Sequence, residues 1–323
     1  MRPRVGKRPP TLDVQTPSPV APERELAPLR RLRSPGRALL VAARPRQWLK
    51  NVLVLAAPAA AGSLARPGTL AAAGLAFAAF CLTSSGGYFL NDLCDAENDR
   101  RHPAKRERPI AARELSPAAA LASAIAFMVA GLAVAAAVNL GLLAAVAAYA
   151  ALTVSYTLSL KRLPIIDIAT VAAFFVLRAV AGGLADGIPL SPWFLIVASF
   201  GSLFIVAGKR ASEFARLGDA RAVTRPALAA YSYGYLRNLR TMAASVTLAA
   251  YCLWAFERAR TLGGSPLVEL SIIPFVLFIM RYAMLTEDDV EAAPEDLVLA
   301  DPGLRAAALV WMICFGCGVY LST

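Results

Sequence analysis

The chain has 323 residues, 58% of them hydrophobic and only 17% charged, with a mean hydropathy of +0.55 and a formal net charge of +11. Soluble domains carry about 25% charged residues, so a soluble enzyme is excluded. Runs of about 20 apolar residues recur from Gln47 onward and imply a polytopic, all-α membrane protein.

Residues 1–36 are rich in Pro and Arg and lack apolar periodicity, as expected of a disordered, basic cytoplasmic tail. No cleavable signal is visible, because the first apolar run begins too late. Nine spans are then expected, at about 47–66, 69–90, 117–137, 140–158, 167–185, 192–208, 241–258, 267–285 and 304–321.

The basic residues sort by loop. The segment through Lys50 holds 12 Lys and Arg, the loop after the second span 6, and the loop after the sixth span 7. The opposite loops hold only Arg66, Arg258 and Arg260. The positive-inside rule therefore places the N-terminus and both long polar loops in the cytoplasm, and the C-terminus outside. Topology accounts for the basic excess, and no nucleic acid is implied. The five cysteines lie in or beside apolar runs, and "CFGC" at 314–317 reads as ordinary buried residues.

The second span ends in "NDLCDAENDRRHPAKRERPI", residues 91–110. Asn91, Asp95 and Asp99 share one helical face at i, i+4 and i+8, with Asp92 beside them. Like charges at that spacing repel unless a cation sits between them. Two carboxylates and an amide oxygen suit Mg²⁺, which binds through few protein ligands plus substrate phosphates. The plainer reading is a solvated helix end paired with Arg100, Arg101 and Arg106. Beside a second cationic group, Arg101, Lys105, Arg106 and Arg108, the array favours a shared polyanionic ligand such as a diphosphate. His102 is the sole histidine, which argues against a histidine metal site or a Ser-His-Asp triad.

Three further stretches face the same side. "RPRQWLKN" brings Gln47, Lys50 and Asn51, although alone it would pass for an interfacial anchor. "SYTLSLKRLPIIDI" brings Tyr156, Lys161 and Asp167, and "GKRASEFARLGD" brings Lys209, Arg210 and Glu213. Arg178 lies about 16 Å deeper than Asp167 at 1.5 Å per residue. An intramembrane arginine is either functional or a structural pair within the bundle.

These residues resemble the UbiA superfamily of intramembrane prenyltransferases. Its N-D-x-x-D-x-x-x-D-R-x-H-P-x-K-x-x-R-P-I pattern runs from Asn91 to Ile110, and the resemblance covers roughly residues 40–323. "LKRLPIIDIATVAAFFVLRAVAGG", "YLRN" and "YCLWAFER" resemble the branch of the superfamily that transfers phosphoribose to a lipid phosphate. The D-x-x-x-D motif that aromatic prenyltransferases carry after the sixth span is replaced here by "KRASEFARLGD".

The resemblance implies a nine-helix catalytic domain over 37–323 in the plasma membrane, with a cavity open to the cytoplasm and laterally to the bilayer. It further implies Mg²⁺-dependent transfer of 5-phosphoribose from phosphoribosyl pyrophosphate to decaprenyl (polyprenyl) phosphate, for cell-wall arabinan precursors, by a homo-oligomer. Asn91, Asp95 and Asp99 would hold the metal, with Asp92 in support. Lys50, Lys105, Arg106 and Lys161 would clamp phosphates, Gln47 and Tyr156 orient them, and Lys209 and Arg210 reach the far end of the donor. Asn51, Asp167, Arg178 and Glu213 are further substrate-binding candidates. The competing readings are an aromatic prenyltransferase with a prenyl diphosphate donor, and a transporter. A transporter would place ionisable groups or broken helices at the midplane in inverted repeats, which the sequence does not display.

Overall fold

The structure, a computed structural model, describes residues 33–102, 105–217, 226–263, 265–287 and 294–321. Most of the expected tail, through residue 32, lies outside the described residues. Helix α1 (Pro35–Ala43) has proline in its first turn. A 3-10 segment, Pro45–Leu55, follows and leads into α2 (Ala56–Ala61). Next come α3 (Pro67–Cys94), α4 (Ala96–Arg101), α5 (Pro117–Val138), α6 (Leu140–Leu158), α7 (Ile166–Ala185) and α8 (Pro192–Leu217). The chain closes with α9 (Pro226–Ala229), α10 (Tyr233–Thr261), α11 (Pro266–Leu270), α12 (Ile272–Leu285), α13 (Pro294–Ala300) and α14 (Pro302–Tyr320).

Among the described residues, eight helical stretches are long and apolar enough to cross a membrane, rather than nine. They are α3, α5, α6, α7, α8, α10, the α11–α12 pair and α14. The expected first span is instead the 3-10 segment of 11 residues plus α2 of 6 residues. At about 2.0 Å and 1.5 Å per residue these reach about 31 Å, close to a hydrocarbon core of about 30 Å. Tighter winding lets fewer residues cover the distance. It is compatible with an unusually close approach to α7, where a Cβ at Gly182 would lie 1.7 Å from the Val54 carbonyl oxygen.

Small residues also seat α5 against α3. A Cβ at Gly131 would meet Thr83 Oγ1 at 2.2 Å and the Ala79 carbonyl at 2.8 Å, so only glycine permits this crossing. The minimal turn between α5 and α6 works through one side chain. Asn139 Oδ1 accepts from the Leu142 amide at 2.8 Å, and its Nδ2 donates to the carbonyls of Leu184 and Ala185 at 3.0 and 2.9 Å. It thereby caps the start of α6 and ties down the end of α7. The core between these helices, built around Phe80, Leu142, Val146 and Tyr149, lies directly under the polar groups described next.

Candidate active site

Helix α3 stops at Cys94, Asp95 takes the cap position, and α4 resumes at Ala96. Backbone bonds from Asp95 N to Asn91 O (2.9 Å) and from Asp99 N to Asp95 O (2.8 Å) carry the four-residue spacing across this break. Asn91, Asp95 and Asp99 consequently line one cavity of about 520 Å³, with Asn98 among them. Seven cationic side chains face the same space: Arg44, Lys50, Lys105, Arg108, Lys161, Arg162 and Arg178. Against them stand two carboxylates, Asp95 and Asp99.

The acids are held by cations. Lys161 Nζ donates to Asp95 Oδ1 at 2.6 Å. Arg108 Nη1 bridges Asp92 Oδ1 at 3.0 Å and Asp99 Oδ2 at 2.7 Å. Arg44 Nη2 meets Asp92 Oδ1 at 2.5 Å, and its guanidinium sits 4.9 Å over the Tyr88 ring. Asp92 is buried behind the wall rather than on it, where it fixes the two arginines that do face the cavity. Burial pushes the Asp99 carboxyl above its usual range, and Arg108 opposes that shift. Among the described residues no three His, Cys, Asp or Glu side chains gather closely enough to hold a metal by themselves. Two carboxylates and the Asn91 amide on one wall fit Mg²⁺ completed by substrate phosphates.

Arg178 forms the deep end. Its Nε donates to Asn51 Oδ1, its Nη1 to the Phe174 carbonyl and its Nη2 to the Tyr149 hydroxyl, each at 2.7 Å. Its guanidinium also lies 4.7 Å from the Tyr149 ring centre. All these partners are neutral, and no ion pair to Arg178 occurs among the described residues. A buried arginine held only by neutral groups keeps its full positive charge aimed at whatever fills the cavity. Asn51 is thus a support for Arg178, also donating to Cys81 Sγ at 3.2 Å. Tyr156 lines the cavity, edge-on to Phe174.

Eight of the expected residues are not on the wall: Asn51 and Asp92, which act behind it, and Gln47, Arg106, Asp167, Lys209, Arg210 and Glu213. Arg106 is exposed, and Arg108 occupies the position expected of it. Lys209 is exposed as well. Arg210 is buried and committed, with Nε on Asp167 Oδ2 at 3.0 Å and Nη1 on Glu213 Oε2 at 2.9 Å. Neither Lys209 nor Arg210, expected to reach the donor's far end, lines this cavity. The Tyr231 hydroxyl donates to Asp167 Oδ1 at 2.6 Å and accepts from the Ile165 amide. Ile165 is a β-branched residue at φ 68°, so this cluster clamps a strained turn four residues from Lys161. Burial first, and the bond to Asp167 second, push the Tyr231 hydroxyl pKa upward.

The sequence alone did not single out Arg44, Tyr88, Thr153 or Arg162, and it placed Arg108 in the basic block without ranking it above Arg106. The arginines were visible in "RPRQWLKN" and "RERPI", but nothing in their spacing says which of several neighbouring cations turns inward. A second cavity of about 610 Å³, lined by Leu53, Ala179, Trp254, Phe278 and other apolar groups, shares Phe175 with the polar one.

Residues 52–298 match the UbiA prenyltransferase family. The chain is 41% identical over 288 residues to the decaprenyl-phosphate phosphoribosyltransferase of Corynebacterium glutamicum, covering 88% of this chain and 87% of that one. It is 41% identical over 282 residues to the enzyme of the same name from Mycobacterium tuberculosis, covering 86% and 93%. Among solved structures, a UbiA homolog from Archaeoglobus fulgidus bound to GPP and Mg²⁺ superposes with a TM-score of 0.68 at 18% identity. That match covers 88% of this chain and 99% of the homolog.

Proposed function

We propose that this chain, which belongs to the UbiA prenyltransferase family, transfers 5-phosphoribose from phosphoribosyl pyrophosphate to decaprenyl or a similar polyprenyl phosphate, releasing pyrophosphate. The observation that carries the reading is the cavity wall of seven cations against two carboxylates, with an apolar cavity that shares Phe175 beside it. Such a surplus of positive charge suits ligands with several phosphates, and the apolar chamber suits a lipid tail. The names of relatives at 41% identity over most of their length support the same pair of substrates.

The chemistry asks little of a general base. The acceptor phosphate is already an anionic nucleophile, and His102, the sole histidine, is not on the cavity wall. What must be stabilised is the leaving pyrophosphate and the developing charge on the ribose. Lys50, Lys105, Arg108 and Lys161 are positioned to neutralise phosphate oxygens from several sides. Arg178, with its neutral partners, offers a further site at the deep end, and Tyr156 can orient the ribose. Mg²⁺ held by Asn91, Asp95 and Asp99 would supply further charge neutralisation on the diphosphate. Attack opposite the leaving group inverts the anomeric carbon, from an α donor to a β product. The loop-charge pattern supports a cytoplasmic side for this cavity, where a water-soluble donor would be available.

A prenyl diphosphate donor with an aromatic acceptor is the other reading open to this fold. Glu213 is paired to Arg210 away from the cavity, so it supplies no second metal-diphosphate site there. The deciding assay uses purified protein, Mg²⁺ and labelled phosphoribosyl pyrophosphate with decaprenyl phosphate, alongside prenyl diphosphates with aromatic acceptors. The expected result is a labelled lipid only in the first mixture. Product only in the second would overturn the reading.

A further inference from the structure

Beyond the C-terminal end of α7, a helix of 20 residues and so about 30 Å long at 1.5 Å per residue, a third cavity of about 300 Å³ opens between α2, the loop after α7 and the end of α10. Its wall includes Ser191, Phe194, Trp254, Glu257 and Arg258. Arg258 Nη2 donates to the Ala61 carbonyl at 3.0 Å, which holds the guanidinium in place. Its Nε and the Ser191 Oγ are both buried atoms without a partner among the described residues. Two orphaned polar atoms, buried in residues that line one cavity, cost free energy unless a ligand seated there satisfies them. An arginine N–H and a hydroxyl are the donors that a phosphate oxygen accepts.

Two further features narrow the ligand. Ala60, Phe194 and Trp254 line both this cavity and the apolar one, so an apolar chain attached to the phosphate has somewhere to lie. Glu257 lines the same cavity and disfavours a purely anionic group, while suiting an ammonium. We infer that this cavity binds a bilayer phospholipid with an amine-bearing headgroup. Its phosphate would sit on Arg258 and Ser191, its ammonium at Glu257, and one acyl chain would run between Phe194 and Trp254. The headgroup site is separate from the polar cavity, while its acyl chain would border the apolar cavity that the proposed reaction gives to the acceptor's tail.

The test is native mass spectrometry of the detergent-purified full chain, titrated with phosphatidylethanolamine, phosphatidylglycerol or inorganic phosphate. The wild type is expected to retain phosphatidylethanolamine more tightly than phosphatidylglycerol, and millimolar inorganic phosphate should not displace it. Arg258→Gln should weaken retention about tenfold or more, as loss of a charge-assisted contact implies. Ser191→Ala, a change with little effect on packing, should weaken it several-fold. Lipid-free melting temperatures of both variants check that they remain folded. Equal retention by wild type and Ser191→Ala, together with a folded Arg258→Gln, would overturn the site. Preference for phosphatidylglycerol would overturn the pairing with Glu257, and displacement by inorganic phosphate would show a free-anion site instead.

Discussion

Replacing Lys161 with methionine should move two binding constants in opposite directions. Methionine keeps most of the side-chain volume and removes the charge. In the structure Lys161 Nζ lies 2.6 Å from Asp95 Oδ1, with the two side chains 21% and 28% exposed. A pair that is partly open to water contributes about 0.5–1 kcal/mol. That contribution competes with any cation seeking Asp95, so its removal should lower the apparent Mg²⁺ constant about two- to fivefold. The same lysine faces the cavity from a turn held by Tyr231 and is placed to meet a donor phosphate. Loss of a charge-assisted phosphate contact costs about 1.5–3 kcal/mol. The apparent constant for phosphoribosyl pyrophosphate should therefore rise roughly ten- to a hundredfold, while that for the lipid phosphate stays nearly unchanged. The assay is an initial-rate matrix in donor and free Mg²⁺ at saturating lipid, with chelation of Mg²⁺ by the donor taken into account. An unchanged donor constant, or a raised Mg²⁺ constant, would refute the reasoning.

Three other changes probe neighbouring groups. Asp95→Ala should abolish turnover, and EDTA should do the same to the wild type with recovery on adding Mg²⁺; an active Asp95→Ala protein would remove the metal assignment. Arg178→Met leaves Asn51 Oδ1, the Tyr149 hydroxyl and the Phe174 carbonyl without their donor, so stability should fall by about 1–3 kcal/mol in chemical unfolding; no loss of stability would mean this network does not support the bundle. Asp99 has a folded pKa raised above the ordinary 3.8, so its contribution to stability is present below that value and is lost as pH rises through the folded pKa. Asp99→Asn should accordingly be inactive yet melt at or above the wild-type temperature near pH 7, the gap narrowing toward pH 4; a lower melting temperature at neutral pH would show that the bond to Arg108 outweighs burial.

Much of this molecule was legible in the chain because its signals are local. Apolar runs reveal spans through length alone, since the bilayer sets one dimension for every crossing. The i, i+4, i+8 array of Asn91, Asp95 and Asp99 survives the helix break at Asp95, because two backbone bonds carry the spacing across it. Charge beside the second span announced a polar site for the same reason: ionised groups gather at a membrane helix end only where something compensates them.

Only the tertiary structure decided which cations point inward. Arg106 and Arg108 are two residues apart in one basic run, and the contact of Arg108 with Asp92 and Asp99 places it on the wall while Arg106 stays exposed. Arg210 looked available until Asp167, 43 positions earlier, was found to hold it. Arg178 could have been a structural ion pair or a ligand group. Its partners Asn51 and Tyr149 come from elements 127 and 29 residues away and are neutral, so its charge is left to the cavity. The segment expected to be the first α-helical span is instead largely 3-10 and runs past Gly182, at a closeness no local pattern encodes. For Arg178, Arg210 and Gly182 the deciding interaction joins groups distant in sequence, and for Arg108 it crosses a loop that helical spacing does not describe. Periodicity and motif spacing record only neighbours along the chain, so they cannot report which distant partner a side chain meets.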